Sequence, residues 1–277
     1  IKGNMAAFES IQQDLIESKK TELKAIKPEQ RYLQPKQQIS LEDITFTYPK
    51  KDKPALNKLN MLIPARSVVG IVGPSGAGKS TLIDILLGLI EPQKGHLKVD
   101  STIIGNQNRR SWQNTIGFVA QSIFLSGGTI AENVAFGIPQ DQIDIKKVHE
   151  VLKLAHLAEL LETFDEGINT KVGERGVQLS GGQRQRIGIA RALYYDADVL
   201  VFDEATSSLD GITEKMIMKA IHDFSGQKTI IMIAHRLKTV QNCDQIYFID
   251  NGQLVDQGTY EELIESNKQF KKMTEHV

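Results

Sequence analysis

Cysteine is all but missing from this chain. Cys243 stands alone, so no internal disulfide can form, which fits a reducing compartment and reads as cytosolic. An excess of either charge is missing too. With 33 Lys+Arg against 34 Asp+Glu, no global field draws the chain to nucleic acid or to an anionic membrane, and any such partner has to be met locally. Long apolar runs are also lacking: the best, Leu82–Ile90, is short and carries Asp84, so no segment reads as a bilayer span. At Ile1 there is neither an initiator Met nor an apolar signal core, and the expectation is a processed product or a piece of a longer polypeptide. Internal repeats and low-complexity tracts are absent. What remains is 277 residues, enough for one large domain or two intimately packed lobes with a substantial core.

Met5, Phe8, Ile11, Leu15, Leu23 and Ile26 recur at roughly helical spacing until Pro28 and Pro35 end the pattern. Residues 1–38 therefore read as an amphipathic helix and linker, with a loosely ordered tail as the alternative. From Ile39 the texture changes, and Ile44, Phe46 and Tyr48 alternate with polar residues, as in a strand with one solvated face at an antiparallel entry to a sheet. Four later runs, Val68–Val72, Val199–Phe202, Thr229–Ile233 and Ile246–Ile249, are apolar almost throughout and rich in β-branched residues. Such runs suit strands covered on both faces and predict a parallel core. Asp144–Phe164 carries Val148, Leu152, Ala155, Leu160, Leu161 and Phe164 at helical intervals, which predicts a helical insert. The expected fold is α/β: a mixed sheet, a small antiparallel β portion near Ile39–Asp100 and a helical lobe at about 122–185, all within 39–265 and followed by a tail at 266–277.

The strongest single signal is Gly73-Pro74-Ser75-Gly76-Ala77-Gly78-Lys79-Ser80-Thr81, which follows one apolar run and opens a helical stretch, Leu82–Leu89. Glycines let backbone N–H groups turn inward around phosphates, and the helix N-terminus adds its positive end. Lys79 reaches the β- and γ-phosphates, and the Ser80 hydroxyl faces Mg²⁺. A bare glycine turn in this strand-loop-helix setting is the weaker reading. The pattern predicts a bound nucleoside triphosphate with its magnesium ion.

Such a loop needs an acidic strand end, and Val199-Leu200-Val201-Phe202-Asp203-Glu204 supplies one. Asp203 is expected to hold Mg²⁺ through water, and Glu204 to polarise the attacking water as general base. Without the phosphate loop the same residues would read as a solvated acidic turn. Leu179-Ser180-Gly181-Gly182-Gln183 then precedes Arg184–Tyr194 as a helix start in which Ser180 caps and two glycines expose backbone donors. It is a second anion site, and with one loop already cradling phosphates it is free to serve a nucleotide held by another copy.

The Lys79 loop, Leu179–Gln183 and the Asp203/Glu204 strand, in this order and spacing, resemble the nucleotide-binding domain of an ABC (ATP-binding cassette) transporter, a P-loop NTPase fold. The resemblance covers about residues 39–265. It implies ATP as nucleotide and assigns several further positions. Tyr48 matches the aromatic that stacks on adenine, a contact worth about 1–3 kcal/mol; a half-buried strand tyrosine in line with Ile44 and Phe46 is its other reading. Gln121 matches the glutamine that touches Mg²⁺ and the attacking water and relays occupancy toward the membrane domain. Ala120 stands where most members of the family carry Pro. His235 resembles the switch histidine that contacts the γ-phosphate and braces Glu204. Asp210, in Ser208-Leu209-Asp210, resembles the organiser of the loop that crosses to a partner subunit, and a helix cap near Thr213 is its plainer reading. Thr170–Gly176 with Ser126–Asn133 resembles segments found in exporters.

What the resemblance implies is an ATPase motor of an exporter or flippase. Two copies close head to tail over two Mg-ATP, each Lys79 loop facing the other chain's Ser180 and Gly182, and hydrolysis reopens them. It places the protein on the cytoplasmic face of the inner cell membrane, with a transmembrane domain fused upstream of Ile1 and Met5–Ile26 as the descending linker. Nucleic acid is not an expected partner. A DNA-tethering ATPase head of the chromosome-maintenance type shares the motifs but needs a long coiled coil between them. Only about a hundred residues, without sustained heptads, separate Lys79 from Ser180. A non-hydrolysing ATP switch is the other alternative, and Glu204 together with His235 argues against it.

Overall fold

The computed structural model of the chain describes residues 32–275, apart from 174–176, 178, 205–210, 212–213, 216–217, 219–220, 222 and 235. The expected helix at Met5–Ile26 lies outside the described residues. So do Asp210, with the Ser208–Asp210 loop, and His235.

The chain opens with β1 (Gln38–Phe46), β2 (Leu56–Pro64) and β3 (Val68–Val72). Helix α1 (Lys79–Leu86) follows, then β4 (Lys94–Val99), β5 (Thr102–Ile103), α2 (Arg109–Gln113) and β6 (Ile116–Val119). A helical stretch comes next, with α3 (Ile130–Val134), α4 (Ile145–Leu154), α5 (Ala158–Leu161) and α6 (Gly181–Tyr194). Strands β7 (Val199–Asp203), β8 (Thr229–Ile233), β9 (Gln245–Asp250) and β10 (Gln253–Gly258) lead into α7 (Tyr260–Ser266) and α8 (Lys268–Glu275).

Among the described residues the strands form two sheets. One is antiparallel and four-stranded, in the order β2-β1-β4-β5, and the other has six strands in the order β10-β9-β3-β8-β7-β6. In the second, β3, β6, β7, β8 and β9 run parallel, and only β10 is antiparallel, against β9. All four apolar runs are among the parallel strands, and their two-sided hydrophobicity has a direct cause. Val69, Ile71, Val201, Ile231, Ile233, Tyr247 and Ile249 join α1 and the antiparallel sheet in one core. Their alternating neighbours Val68, Val72, Leu200, Phe202, Ile230, Met232, Ile246 and Phe248 join the helices in the other. A period of two thus divides each strand between two cores.

Two helical expectations are refined by turn chemistry. Helix α1 ends at Leu86 rather than Leu89, because Gly88 takes φ 64 and turns the chain. The Asp144–Phe164 insert is two helices: Asp144 caps α4 through the Lys147 N–H, and a left-handed His156 (φ 55) precedes α5. Helix α8 is anchored by Phe270, which is fully buried with its ring edge-on to Phe248 and Tyr260.

The segment before β1 is strapped down by polar contacts. Asp100 accepts the backbone N–H groups of Lys36, Gln37 and Gln38 at 3.0, 2.8 and 3.0 Å, while Leu33 N–H reaches Ser111 O and Thr115 Oγ1. Burial pushes the Asp100 carboxyl up, but the three N–H groups and the Lys36 charge outweigh it and hold it below the usual carboxylate range. Asp100→Ala should therefore lower unfolding free energy by about 1–2 kcal/mol at neutral pH, as read from urea denaturation. A group whose folded pKa is depressed stabilises above its unfolded value and ceases to as pH falls through the folded one. The difference between parent and variant should accordingly shrink once the pH drops below about 4.

Candidate functional site

Strand β3 delivers the chain to the glycine-rich loop at the C-terminal edge of the parallel strands, where α/β sheets place ligands. The loop is tight enough to require glycine at both ends. At Gly73 (φ 152) a Cβ would sit 1.9 Å from Ile249 O, and at Gly78 (φ 105) 2.5 Å from Ala55 O. Gly78 is also the N-cap of α1 and offers no side-chain acceptor, so the first N–H groups of the helix stay available to an anion. Within the loop Lys79 is buried. Its Nζ donates to Gly73 O at 2.7 Å and to Pro74 O at 3.0 Å. Burial pushes the ammonium pKa down, against the opposing pull of Glu204 and Asp203.

Strand β7 brings Asp203 and Glu204 to the same edge. Asp203 pairs with Ile233 in β8, and the Glu204 N–H still donates to Ile233 O at 3.1 Å. There the backbone of Glu204 turns into the left-handed region (φ 49), a conformation that side chains other than glycine rarely adopt and that recurs at functional sites. Glu204 lines the same cleft as the loop. Gln121, just past β6, donates its Nε2 to Glu204 Oε2 at 2.7 Å. At Ala120, where most members of the family carry Pro, the carbonyl accepts the Nε2 of the buried Gln185 of α6 at 3.3 Å. Gln185 had no signal in the sequence beyond its place in a helix.

One cleft of about 310 Å³ gathers Tyr48, Ser75, Gly76, Gly78, Lys79, Ser80, Thr81, Asp203 and Glu204, with Ala55 and Ile233 completing the wall. That volume suits a small-molecule site. Tyr48 lies two residues beyond the end of β1, 40% exposed, with its ring edge-on to Phe46 at 5.0 Å and its hydroxyl 3.2 Å from Thr81 Oγ1. It is thus a loop residue at the rim of the cleft, not the strand continuation that alternation with Ile44 and Phe46 suggests. Gly73, Pro74 and Ala77 belong to the same loop but do not line the cleft.

Ser180, Gly181, Gly182 and Gln183 are not among the residues lining that cleft. They form the start of α6, where Ser180 Oγ accepts the Gln183 N–H at 3.2 Å and Gln183 Oε1 accepts the Ser180 N–H at 2.8 Å, a reciprocal capping box. Ser180 is exposed there, and its hydroxyl proton remains free to donate. The segments at 126–133 and 170–176, each similar to segments found in exporters, lie side by side: Thr129 bridges Lys171, and the Val172 N–H donates to Gly128 O. Residues 174–176 lie outside the described residues.

Comparisons with known proteins bear on this arrangement. Residues 56–207 match the family described as ABC transporter. The chain is 40% identical over 230 residues to the ATP-dependent lipid A-core flippase of Cupriavidus pinatubonensis, covering 83% of this chain and 39% of that protein. Against the Escherichia coli protein of the same description it is 37% identical over 227 residues, covering 82% and 39%. Among solved structures, a bacterial Atm1-family ABC exporter with ATP bound superposes with a TM-score of 0.83 at 33% identity, over 97% of this chain and 48% of that one. The chain therefore spans less than half the length of these relatives.

Proposed function

We propose, from the premise that this chain belongs to the ABC transporter family, that it is the ATP-hydrolysing motor of an exporter or lipid flippase. The observation that carries the reading is a cleft in which Lys79, Ser80, Asp203 and Glu204 converge, while Ser180–Gln183 stands elsewhere as a capped helix start with Ser180 exposed. Half a site is present twice over.

In this reading the N–H groups of the Gly73–Gly78 loop and of the start of α1 hold the triphosphate, and Lys79 moves from its own carbonyls to the β- and γ-phosphates. Tyr48 stacks on adenine. Glu204 takes the proton of the attacking water, with Gln121 fixing its carboxylate and His235 bracing it at the γ-phosphate. The donor set fits magnesium. Ser80 and Asp203 offer two hard oxygen donors in the cleft, Gln121 a third beside it, and no cluster of three or more His, Cys, Asp or Glu is present among the described residues. Magnesium is usually held by one or two carboxylates together with the nucleotide's own phosphates and water. When bound, the ion neutralises charge on the β- and γ-oxygens.

A second copy completes each site, its Ser180 and Gly182 donating to the γ-phosphate across the interface and its Asp210 organising the crossing loop. Both flippase relatives are named as acting on lipid A-core and the exporter as a transporter. By that likeness the motor works on the cytoplasmic face of a membrane, beneath a transmembrane domain joined upstream of Ile1. No helix among the described residues is long and apolar enough to cross a bilayer.

Ser180→Arg tests the division of labour. The variant should bind ATP as a monomer with unchanged affinity, yet lose at least about 100-fold in turnover, since the added bulk and charge fall on the face offered to the partner. Fluorescent-nucleotide titration beside a phosphate-release assay reads both. Loss of monomer binding would refute a role in trans.

A further inference from the structure

The adenine-stacking reading leaves Tyr48 with a difficulty, because it lies in a loop at the rim of the cleft, beyond the last residue of β1. A stacking platform is useful only if it is already in place when the base arrives, since ordering it on binding costs affinity. What orders the chain at Tyr48 is visible in the neighbouring rungs. On one side the ladder with β2 still reaches Phe46, whose carbonyl accepts the Ala55 N–H at 2.8 Å. On the other side β4 begins at Lys94, paired with Thr45, and the last main-chain rung is Gln93 N–H to Thr45 O at 3.0 Å. Next comes Pro92, which has no N–H to offer.

The Gln93 side chain replaces the missing rung. Its Oε1 accepts the Thr47 N–H at 2.7 Å and its Nε2 donates to Thr47 O at 2.7 Å, so one primary amide satisfies both backbone groups of the residue before Tyr48. The backbone fixes the orientation of the amide, because the oxygen has to face the N–H and the nitrogen the carbonyl. Tyr48 is then held at three points: the backbone of the preceding Thr47 through Gln93, its own ring by the edge-on contact with Phe46, and its hydroxyl by Thr81 in the phosphate-loop helix. Gln93 lies between β4 and α1, away from every nucleotide motif, and does not line the cleft itself.

We propose that Gln93 is a positioning residue for the nucleobase: by extending the sheet one rung with its side-chain amide, it presets Tyr48 as the adenine platform. The inference rests on the reading of Tyr48 given above. It concerns only the base end of the nucleotide, which separates it from a general structural role.

The test compares ATP with inorganic tripolyphosphate, which carries the phosphates without the base, on the 277-residue chain by calorimetric titration. Gln93→Leu should weaken ATP binding about three- to tenfold, the range expected when two solvent-exposed backbone hydrogen bonds are lost, and leave tripolyphosphate binding unchanged. Tyr48→Ala should weaken ATP binding about five- to 150-fold with the same indifference to tripolyphosphate. Combined, the two changes should cost no more than Tyr48→Ala alone, since without the ring there is nothing to position. Equal weakening of both ligands by Gln93→Leu, or full additivity with Tyr48→Ala, would overturn the proposal. If Tyr48→Ala itself leaves the preference for ATP over tripolyphosphate intact, the platform reading fails first. If only Tyr48→Ala changes that preference, the platform stands and Gln93 is no part of it.

Discussion

Glu204→Gln should bind Mg-ATP as tightly as the parent and hydrolyse it about 10²–10⁴-fold more slowly, the usual cost of losing a general base. The substitution is nearly isosteric, and glutamine can keep the left-handed backbone as glutamate does. Its Oε1 can still accept the Gln121 amide that Glu204 accepts at 2.7 Å. What disappears is the ability to take a proton from water. Contacts through Tyr48, Lys79, Ser80 and Asp203 are untouched, so if closure needs ATP and reopening needs hydrolysis, the variant accumulates as a closed dimer. Gel filtration with Mg-ATP, followed by nucleotide quantification, should show a dimer peak holding ATP rather than ADP. The parent, with no membrane domain to hold two copies together, should stay monomeric without nucleotide. Hydrolysis at the parent's rate would move the base elsewhere, with His235 the first alternative. An inactive variant that stays monomeric with ATP bound would keep the catalytic role and remove the head-to-tail dimer.

Lys79→Ala should lose at least about 100-fold in ATP affinity and all measurable turnover, because charge-assisted hydrogen bonds to phosphate are among the strongest in a site. Only backbone donors would remain to face the β- and γ-phosphates. Since Lys79 is buried and bonded to Gly73 O and Pro74 O, its removal also leaves those two carbonyls without their cation. Thermal denaturation separates the effects: a melting temperature near the parent's with binding gone assigns the loss to the missing charge. Near-normal ATPase would sink the assignment of the loop.

The parts of this fold that could be read from sequence are those whose pattern is local. Strands β3, β7, β8 and β9 declared themselves by unbroken apolar runs, which the division of each strand between two cores explains. The Lys79 loop was legible because glycine spacing, a preceding strand and a following helix coincide within a few residues. The Ser180 cap was legible for the same reason, and the structure shows its reciprocal bond to Gln183. Strand β6 carries no comparable signal, since Ile116–Val119 is short and its pairing with β7 joins residues more than eighty apart. The left-handed turn at Glu204 leaves no mark in residue type, because it follows from where β7 leaves β8. Gln185 and Gln93 were illegible for a third reason. Each acts by giving a side-chain amide to another segment's backbone, and glutamine at an ordinary helix or loop position announces nothing.

The ammonium of Lys79, folded back on the carbonyls of its own loop, has to leave two neutral dipoles before it can serve a phosphate. A ligand does not simply enter; it trades places, drawing a cation away from two neutral dipoles that already solvate it. The trade is favourable only when the newcomer presents more negative charge than those carbonyls supply, which a chain of phosphates does and a lone phosphate does less well. On the function proposed above, that exchange would favour nucleotides with several phosphates over a lone phosphate, apart from any contribution of the adenine, the metal or a second copy of the chain.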